Sequence, residues 1–411
     1  MPEVKGILYI LINVRWQRMK LTRHVSYAGV QEPNIRNYDV ILKTNYGTGY
    51  NSYVVTGEKT AVIDTVPELF ADEYIEKLKT LLSDGGVDYV ILNHAAPDHA
   101  GSLASLLKEY PQAEVYATVQ GMKNAGAISN RQMKVHVVTE GEQLYLGDDI
   151  VLEFMMIPDL PWPDTMFTYL EKEKILFSCD MFSTHFCEPA IRDRYMREVG
   201  VFQEERYRYF QTMFEGSKTA VRGAMKKLEG RPIGMICPGH GPILEHYLKE
   251  TMGYYHSWSM ELPTEDYAAV FYASAYGYTG MMARQLANDL RREGIPVKIF
   301  DVTKKPLKEM EKAFNLAGGV LIGTPTIHKD APKPIWDLIS CAKAINLNSK
   351  PVLVFGSYGW SGGACKNVCE RLKALQFRVI GEGLTCVLKP SAEDKRRIGE
   401  AAREFAAIFS G

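Results

Sequence analysis

Between Asp39 and about His246, short β-branched and aromatic runs alternate with polar turns. Asp39 to Lys43, Tyr50 to Val55, Ala61 to Asp64 and Tyr89 to Asn93 read as strands, with Gly57-Glu58-Lys59 as a turn between two of them. Apolar residues at helical spacing predict helices over Phe70 to Leu82, over Ser102 to Glu109, and as a long pair within Glu204 to Leu228. A sheet-rich sandwich carrying helices, an α+β layering, follows from this mixture.

The pattern changes after Tyr255. Glu261-Leu262-Pro263-Thr264-Glu265 is polar, contains proline and reads as an interdomain link. Beyond it strands and helices alternate: strand Tyr267 to Ala273, helix Gly280 to Arg292, strand Val297 to Val302, helix Leu307 to Phe314 and strand Val320 to Ile322. Helix Pro334 to Ala342, strand Val352 to Phe355, helix Ala364 to Leu375, strand Arg378 to Gly381 and helix Ala392 to Phe409 complete the series. Such alternation predicts an α/β doubly wound parallel sheet. The expected organisation is a non-core extension over 1–18, a first domain over 19–262 and a second over 263–411, because Met19-Lys20 opens the stretch that runs into the first strand.

Composition narrows the function classes. The 411 residues hold 48 Lys+Arg and 49 Asp+Glu, a net charge of −1, which argues against nucleic acid or anionic lipid as the main partner. Hydrophobic residues at 46% and charged residues at 24% exclude disordered and fibrous classes. Seven cysteines form no Cys-x-x-Cys pair of the kind that holds zinc or rubredoxin iron, and a reducing, cytoplasmic compartment is expected. The apolar run Gly6 to Val14 is too short to span a bilayer, so no membrane segment is predicted.

Ligands of open parallel sheets sit at the carboxyl ends of the strands, and three loops there have unusual composition. Ser274-Ala275-Tyr276-Gly277-Tyr278-Thr279-Gly280 precedes a helix and offers hydroxyls and backbone N–H groups to an anion. It has neither the Gly-Lys-Ser/Thr ending of a nucleoside-triphosphate loop nor a Gly-x-Gly-x-x-Gly fingerprint. The second loop is Gly323-Thr324-Pro325-Thr326-Ile327-His328, and the third is Gly356-Ser357-Tyr358-Gly359-Trp360-Ser361-Gly362-Gly363, whose aromatics could flank a planar ring. Together they resemble the loops of flavodoxin-like domains, which hold FMN. The resemblance implies phosphate on Ser274 and Thr279, assisted by the backbone of Tyr276, Gly277 and Tyr278, and the ring near Thr326, Ile327, Tyr358, Gly359 and Trp360. Ala275, Pro325, His328, Ser357, Ser361 and Gly362 complete the cofactor-binding candidates.

In the first domain three apolar strands end in metal-ligand chemistry: His94-Ala95-Ala96-Pro97-Asp98-His99, Ser178-Cys179-Asp180 and Pro238-Gly239-His240-Gly241. Imidazoles and carboxylates suit iron, zinc or manganese. These segments, with Trp162-Pro163-Asp164 and Gly47-Thr48-Gly49-Tyr50-Asn51-Ser52-Tyr53, resemble the metallo-β-lactamase-like half of flavodiiron proteins, which couple an αββα sandwich to a flavodoxin-like domain. Carried over by position, the ligands are His94, Asp98, His99, the bridging Asp180 and His240. Ala96 stands where the family has glutamate and Pro161 where it has histidine, and neither side chain can donate to a metal. Both losses fall on one iron. A mononuclear or empty site is therefore expected, with Asp159, Asp164 and His185 as candidate substitutes.

The resemblance implies an FMN-containing oxidoreductase passing electrons to dioxygen, nitric oxide or another small acceptor through an altered metal site. The alternative is a flavin-based electron-transfer subunit whose metallo-β-lactamase-like domain is a scaffold. A hydrolase is the weakest reading, since it has no use for a flavin domain. Electrons would come from a rubredoxin, ferredoxin or flavin reductase, and a head-to-tail homodimer or dimer of dimers is implied. His24, His136, His246 and His256 are expected at the surface, and Cys365 and Cys369 as unpaired thiols.

Overall fold

The computed structural model describes residues 20–40, 42–83, 85–260, 265–342 and 350–410. The expected extension over 1–18 and most of the link Glu261 to Glu265 lie outside the described residues. The chain forms two compact units that divide after Met260.

The first unit is built on two sheets. One runs in the order Val25–Tyr27, Tyr53–Thr56, Thr60–Ile63, Tyr89–Ile91, Glu114–Ala117, Val135–Val137; the other runs Gln143–Tyr145, Val151–Met156, Met166–Leu170, Ile175–Cys179, Met235–Pro238. Successive strand residues face opposite sides, which sorts the apolar residues into layers. Tyr53, Val55, Ile63, Tyr89 and Ile91 join Phe154, Met166, Ile175 and Phe177 in the core between the sheets. Val54, Val62, Val90 and Val115 turn the other way, onto residues of the helices Ala71–Leu82, Leu103–Glu109 and Val119–Ser129. Phe167, Tyr169, Leu176 and Ile236 likewise pack on Val199–Met213, Lys218–Leu228 and Leu248–Ser259. The result is the four-layer αββα sandwich.

Two predicted strands are interrupted. Asp39 to Lys43 is a hairpin of Asn37–Tyr38 and Leu42–Lys43, because Asp39 and Val40 take positive φ values of 48° and 66°. Tyr50 to Val55 breaks at Asn51-Ser52. There the Asn51 amide donates to Pro238 O and Gly241 O, each at 2.9 Å, and Ser52 Oγ donates to Asp64 O at 2.9 Å. These polar side chains leave the ladder to brace the loops beside the metal-type residues.

The second unit is a five-stranded parallel sheet ordered Val297–Asp301, Glu265–Tyr272, Ala317–Gly323, Pro351–Tyr358, Arg378–Val387. Sequence order is 2-1-3-4-5, the doubly wound arrangement. Ala269 and Phe271 face one helical layer and Ala268 and Val270 the other. Gly356, Ser357 and Tyr358, read as loop from the sequence, are strand residues paired with Thr385, Cys386 and Val387. The last strand accordingly runs past its predicted end at Gly381. Among the described residues no helix is long and apolar enough to cross a membrane.

Candidate metal centre and flavin pocket

The strand Tyr89–Ile91 delivers Asn93 and His94, and a one-turn helix, Pro97–Ala100, then presents Asp98 and His99. The strand Ile175–Cys179 delivers Asp180, and Met235–Pro238 delivers His240. All converge. His99 Nε2 and His240 Nε2 lie 3.2 Å and 3.1 Å from Asp98 Oδ2, and 3.4 Å and 3.3 Å from Asp180 Oδ1. Donor atoms of Asp98, His99 and His240 lie close enough together to share one ion. A Cβ on Gly239 would stand 2.5 Å from His99 Cε1, so only glycine lets the ring through.

The outer nitrogens fix the inner ones. His240 Nδ1 is 2.8 Å from Gly49 O, so that nitrogen carries the proton and Nε2 faces the cluster. On the far side of His99, Asp64 Oδ2 lies 3.7 Å from Nδ1 and Cys179 Sγ 3.9 Å from it. Burial pushes the Cys179 thiol well up in the metal-free protein, and Asp64, His99 and Cys179 form a second buried group whose donor atoms lie close enough together to share an ion. Tyr38 donates to Asp98 Oδ2, and Tyr209 donates to Asp180 Oδ1 at 3.0 Å.

Burial alone would raise the two carboxylates, but the His99 charge and the hydrogen bonds from His240 and His99 hold Asp98 and Asp180 well below the usual range. Conversely, burial would lower His240, but Asp180 and Asp98 raise it to about 9. Against the same burial, Asp98 leads the groups that lift His99 well above its ordinary value. Such opposed charges packed in a dry site are what a divalent cation replaces when it displaces the ring protons.

His94, Ala96 and Pro161 tell a different story. His94 Nδ1 is 2.9 Å from Asp164 Oδ1, and Asp164 Oδ2 accepts from Ala95 N at 2.8 Å. Asp164 is thus engaged in holding the His94 loop, and Asp159 is exposed. His185 differs. It is buried, its Nδ1 is 2.8 Å from Thr48 Oγ1, its Nε2 has no hydrogen-bond partner among the described residues, and its ring lies 5.1 Å from that of His240. Asp98, His99 and His240 thus form one group that could hold an ion, with Asp180 Oδ1 against both imidazoles. Tyr38, Tyr209 and the setting of His185 carried no linear signal, since their elements meet the cluster only in the fold. The surface reading of the remaining histidines holds for His246 and His256, whereas His24 and His136 are half-buried against Glu173 and Glu142.

In the second unit a cavity of about 820 Å³ is lined by twelve of the predicted cofactor residues: Ala275, Tyr276, Tyr278, Pro325, Thr326, Ile327, His328, Ser357, Tyr358, Gly359, Trp360 and Ser361. Lys329 and Leu388 also line it and were not singled out from the sequence. Ser274, Gly277, Thr279 and Gly362 lie outside the lining. Thr279 Oγ1 bonds Ser357 Oγ at 2.9 Å, and Ser274 Oγ accepts from Gly280 N at 3.2 Å. Gly277, at φ 86°, turns the chain into the helix Tyr278–Arg292. Hydroxyls and free N–H groups at a helix start, beside an aromatic slot, fit a ring that carries a phosphate. Cys365 and Cys369 are buried in the core, where they serve as apolar packing.

A metallo-β-lactamase-like sandwich with a His/Asp cluster, followed by a flavodoxin-like sheet with an aromatic-lined pocket at its strand ends, defines a class of redox flavoproteins. Family models agree: residues 49–241 match an ODP family beta lactamase and residues 270–399 match Flavodoxin. The chain is 36% identical to flavo-diiron protein FprA2 of Clostridium acetobutylicum over 94% of its own length and 98% of that protein's. It is 28% identical to the anaerobic nitric oxide reductase flavorubredoxin of Escherichia coli, covering 93% and 81% of the two chains. Among solved structures, rubredoxin oxygen:oxidoreductase of Desulfovibrio gigas superposes with a TM-score of 0.65 at 25% identity, over 95% of this chain and 98% of that one. The chain belongs to the flavodiiron protein family, and it is an oxidoreductase of that flavoprotein type.

Proposed function

We propose that this protein is an FMN-dependent flavodiiron-type oxidoreductase with a one-ion metal site, passing electrons to dioxygen, nitric oxide or another small acceptor. The observation that carries the reading is the convergence of Asp98, His99, His240 and Asp180, taken with the alanine at 96 and the proline at 161, which offer no donor atom. Two imidazoles and two carboxylates hold one divalent ion at zero net charge, whereas His94 with a share of Asp180 is too little for tight binding of a second. The names of the relatives, a nitric oxide reductase and a rubredoxin oxygen:oxidoreductase, support the choice of acceptors and of a small redox protein as donor.

When bound, iron would supply a one-electron couple and an open coordination position, and FMN would collect electrons for it. The chain's own residues supply the rest. Tyr38 and Tyr209 orient the two carboxylates, and Gly49 O fixes the His240 tautomer. Neutral His185 stands beside them with Nε2 free to exchange a hydrogen bond with a bound molecule. A cytoplasmic homodimer, or dimer of dimers, is part of the proposal.

The loss of two ligands favours one other reading, an electron-transfer subunit whose first unit is a scaffold. Metal and FMN content per chain, measured on protein purified without oxygen from iron-replete cells, tests both. One metal and one FMN, with steady consumption of dioxygen or nitric oxide by reduced protein, is expected. Flavin reduction without consumption would favour the scaffold, and two irons would overturn the one-ion site.

A further inference from the structure

The turn His328-Lys329 is an unusual object. Both residues have positive φ, 52° and 67°, and they form a two-residue loop closed by Ile327 N to Asp330 O at 2.9 Å and Asp330 N to Ile327 O at 3.0 Å. Positive φ at both central positions is the hand of a type I′ turn, which favours asparagine and glycine. Here two basic residues occupy it. The turn is also braced. Asp330 accepts from Ala331 N at 2.8 Å, Asn367 Nδ2 at 3.0 Å and Trp336 Nε1 at 3.2 Å, and Gly363 approaches so closely that a Cβ there would lie 2.9 Å from Lys329 O.

His328 and Lys329 line the cavity of the second unit, and among the described residues no aspartate or glutamate does. The nearest carboxylate along the chain, Asp330, is committed to Trp336, Asn367 and its own turn. Among the described residues the pocket lining therefore carries one lysine and one imidazole against hydroxyl, aromatic and apolar surface. Building that charge on a disfavoured backbone points to a use for it.

We propose that Lys329, presented by this turn, is an electrostatic positioning residue that makes the pocket prefer reduced over oxidised flavin. The inference rests on FMN being the occupant. Two electrons and one proton added to the neutral oxidised ring give a hydroquinone anion with charge −1, which a nearby ammonium stabilises more than the neutral ring. Binding and potential are linked, so the residue that favours the anion raises the midpoint potential.

The test is an anaerobic dithionite titration of FMN-loaded full-length protein with indicator dyes, comparing wild type, Lys329→Asn and a control, Lys312→Asn, on the helix Leu307–Leu316. Asparagine accepts positive φ, so the turn is retained. Lys329→Asn is expected to reduce the preference for hydroquinone about fivefold, the scale of one partly screened charge pair, which lowers the two-electron midpoint by about 20 mV. Oxidised FMN should bind it as tightly as it binds wild type, and Lys312→Asn should leave the potential unchanged. Equal potentials in wild type and Lys329→Asn overturn the proposal. So does a shift shared by Lys312→Asn, or weaker binding of oxidised FMN with the potential unmoved. Wild-type protein that takes up no FMN on reconstitution overturns the flavin reading itself, and this inference with it.

Discussion

The imidazoles of His240 and His185 lie 5.1 Å apart, centroid to centroid, and their surroundings push their pKa values in opposite directions. Asp180 and Asp98 raise His240 to about 9, while burial and the His240 charge push His185 well below its ordinary value. With His94 and His99 they form a row of four rings, at successive spacings of 5.3, 5.1 and 5.1 Å. Of the four, His99 and His240 face both Asp98 and Asp180.

If Ala96 and Pro161 are what removed the second ion, restoring their donors should return it. The double variant Ala96→Glu, Pro161→His is expected to raise iron from about one to about two per chain, since it adds a carboxylate and an imidazole at the His94 side. Iron analysis with Mössbauer spectroscopy checks this. A count unchanged from wild type would mean that the backbone at these positions no longer aims at the site.

Metal affinity should climb with pH. His240 has a folded value of about 9 against 6.5, so in the metal-free protein its stabilising charge is fully present below about 6.5 and is lost as pH rises through 9. An incoming ion must expel that proton. Each proton released makes apparent affinity rise about tenfold per pH unit across this window. Competition with a chelator between pH 6.5 and 9 measures the slope.

Gly239→Ala would set a methyl 2.5 Å from His99 Cε1. Displacing that ring should lower metal affinity more than tenfold, at an overpacking cost of about 1–3 kcal/mol. Chelator competition read beside a denaturant curve separates the two effects. Wild-type affinity with lowered stability would show that the backbone yields and His99 does not.

Lys350 is buried in the second unit and donates to Phe314 O and Asn315 O, at 3.0 and 2.9 Å, where the helix Leu307–Leu316 ends. Burial lowers it to about 8 from 10.5. Between those values the unfolded chain holds the proton and the folded chain does not, so this group makes stability rise with pH. Relative to Lys350→Met, wild type should gain about 1–2 kcal/mol between pH 8 and 9.5, as proton linkage at one site allows. Paired urea titrations at the two pH values check it.

Periodicity along the chain determined much of this protein by itself. Alternation in Tyr53 to Val55 and Tyr89 to Ile91 marks strands with two covered faces, and the strand-helix series after Tyr267 specifies the doubly wound sheet, because burial of alternate residues is a local constraint. The ligand types at strand ends were legible too, whereas Ala96 and Pro161 stood out only against the pattern of the resembled family. Other features had no local signal. The reversal at Asp39-Val40 places a β-branched residue at positive φ, against its own preference. Lys329 and Leu388 line one cavity from different loops. His185, a candidate by residue type alone, gained its role from Thr48 on one side and His240 on the other. Which carboxylate meets which imidazole, and therefore which rings are charged, depends on distances between segments far apart in the chain, and only packing sets those.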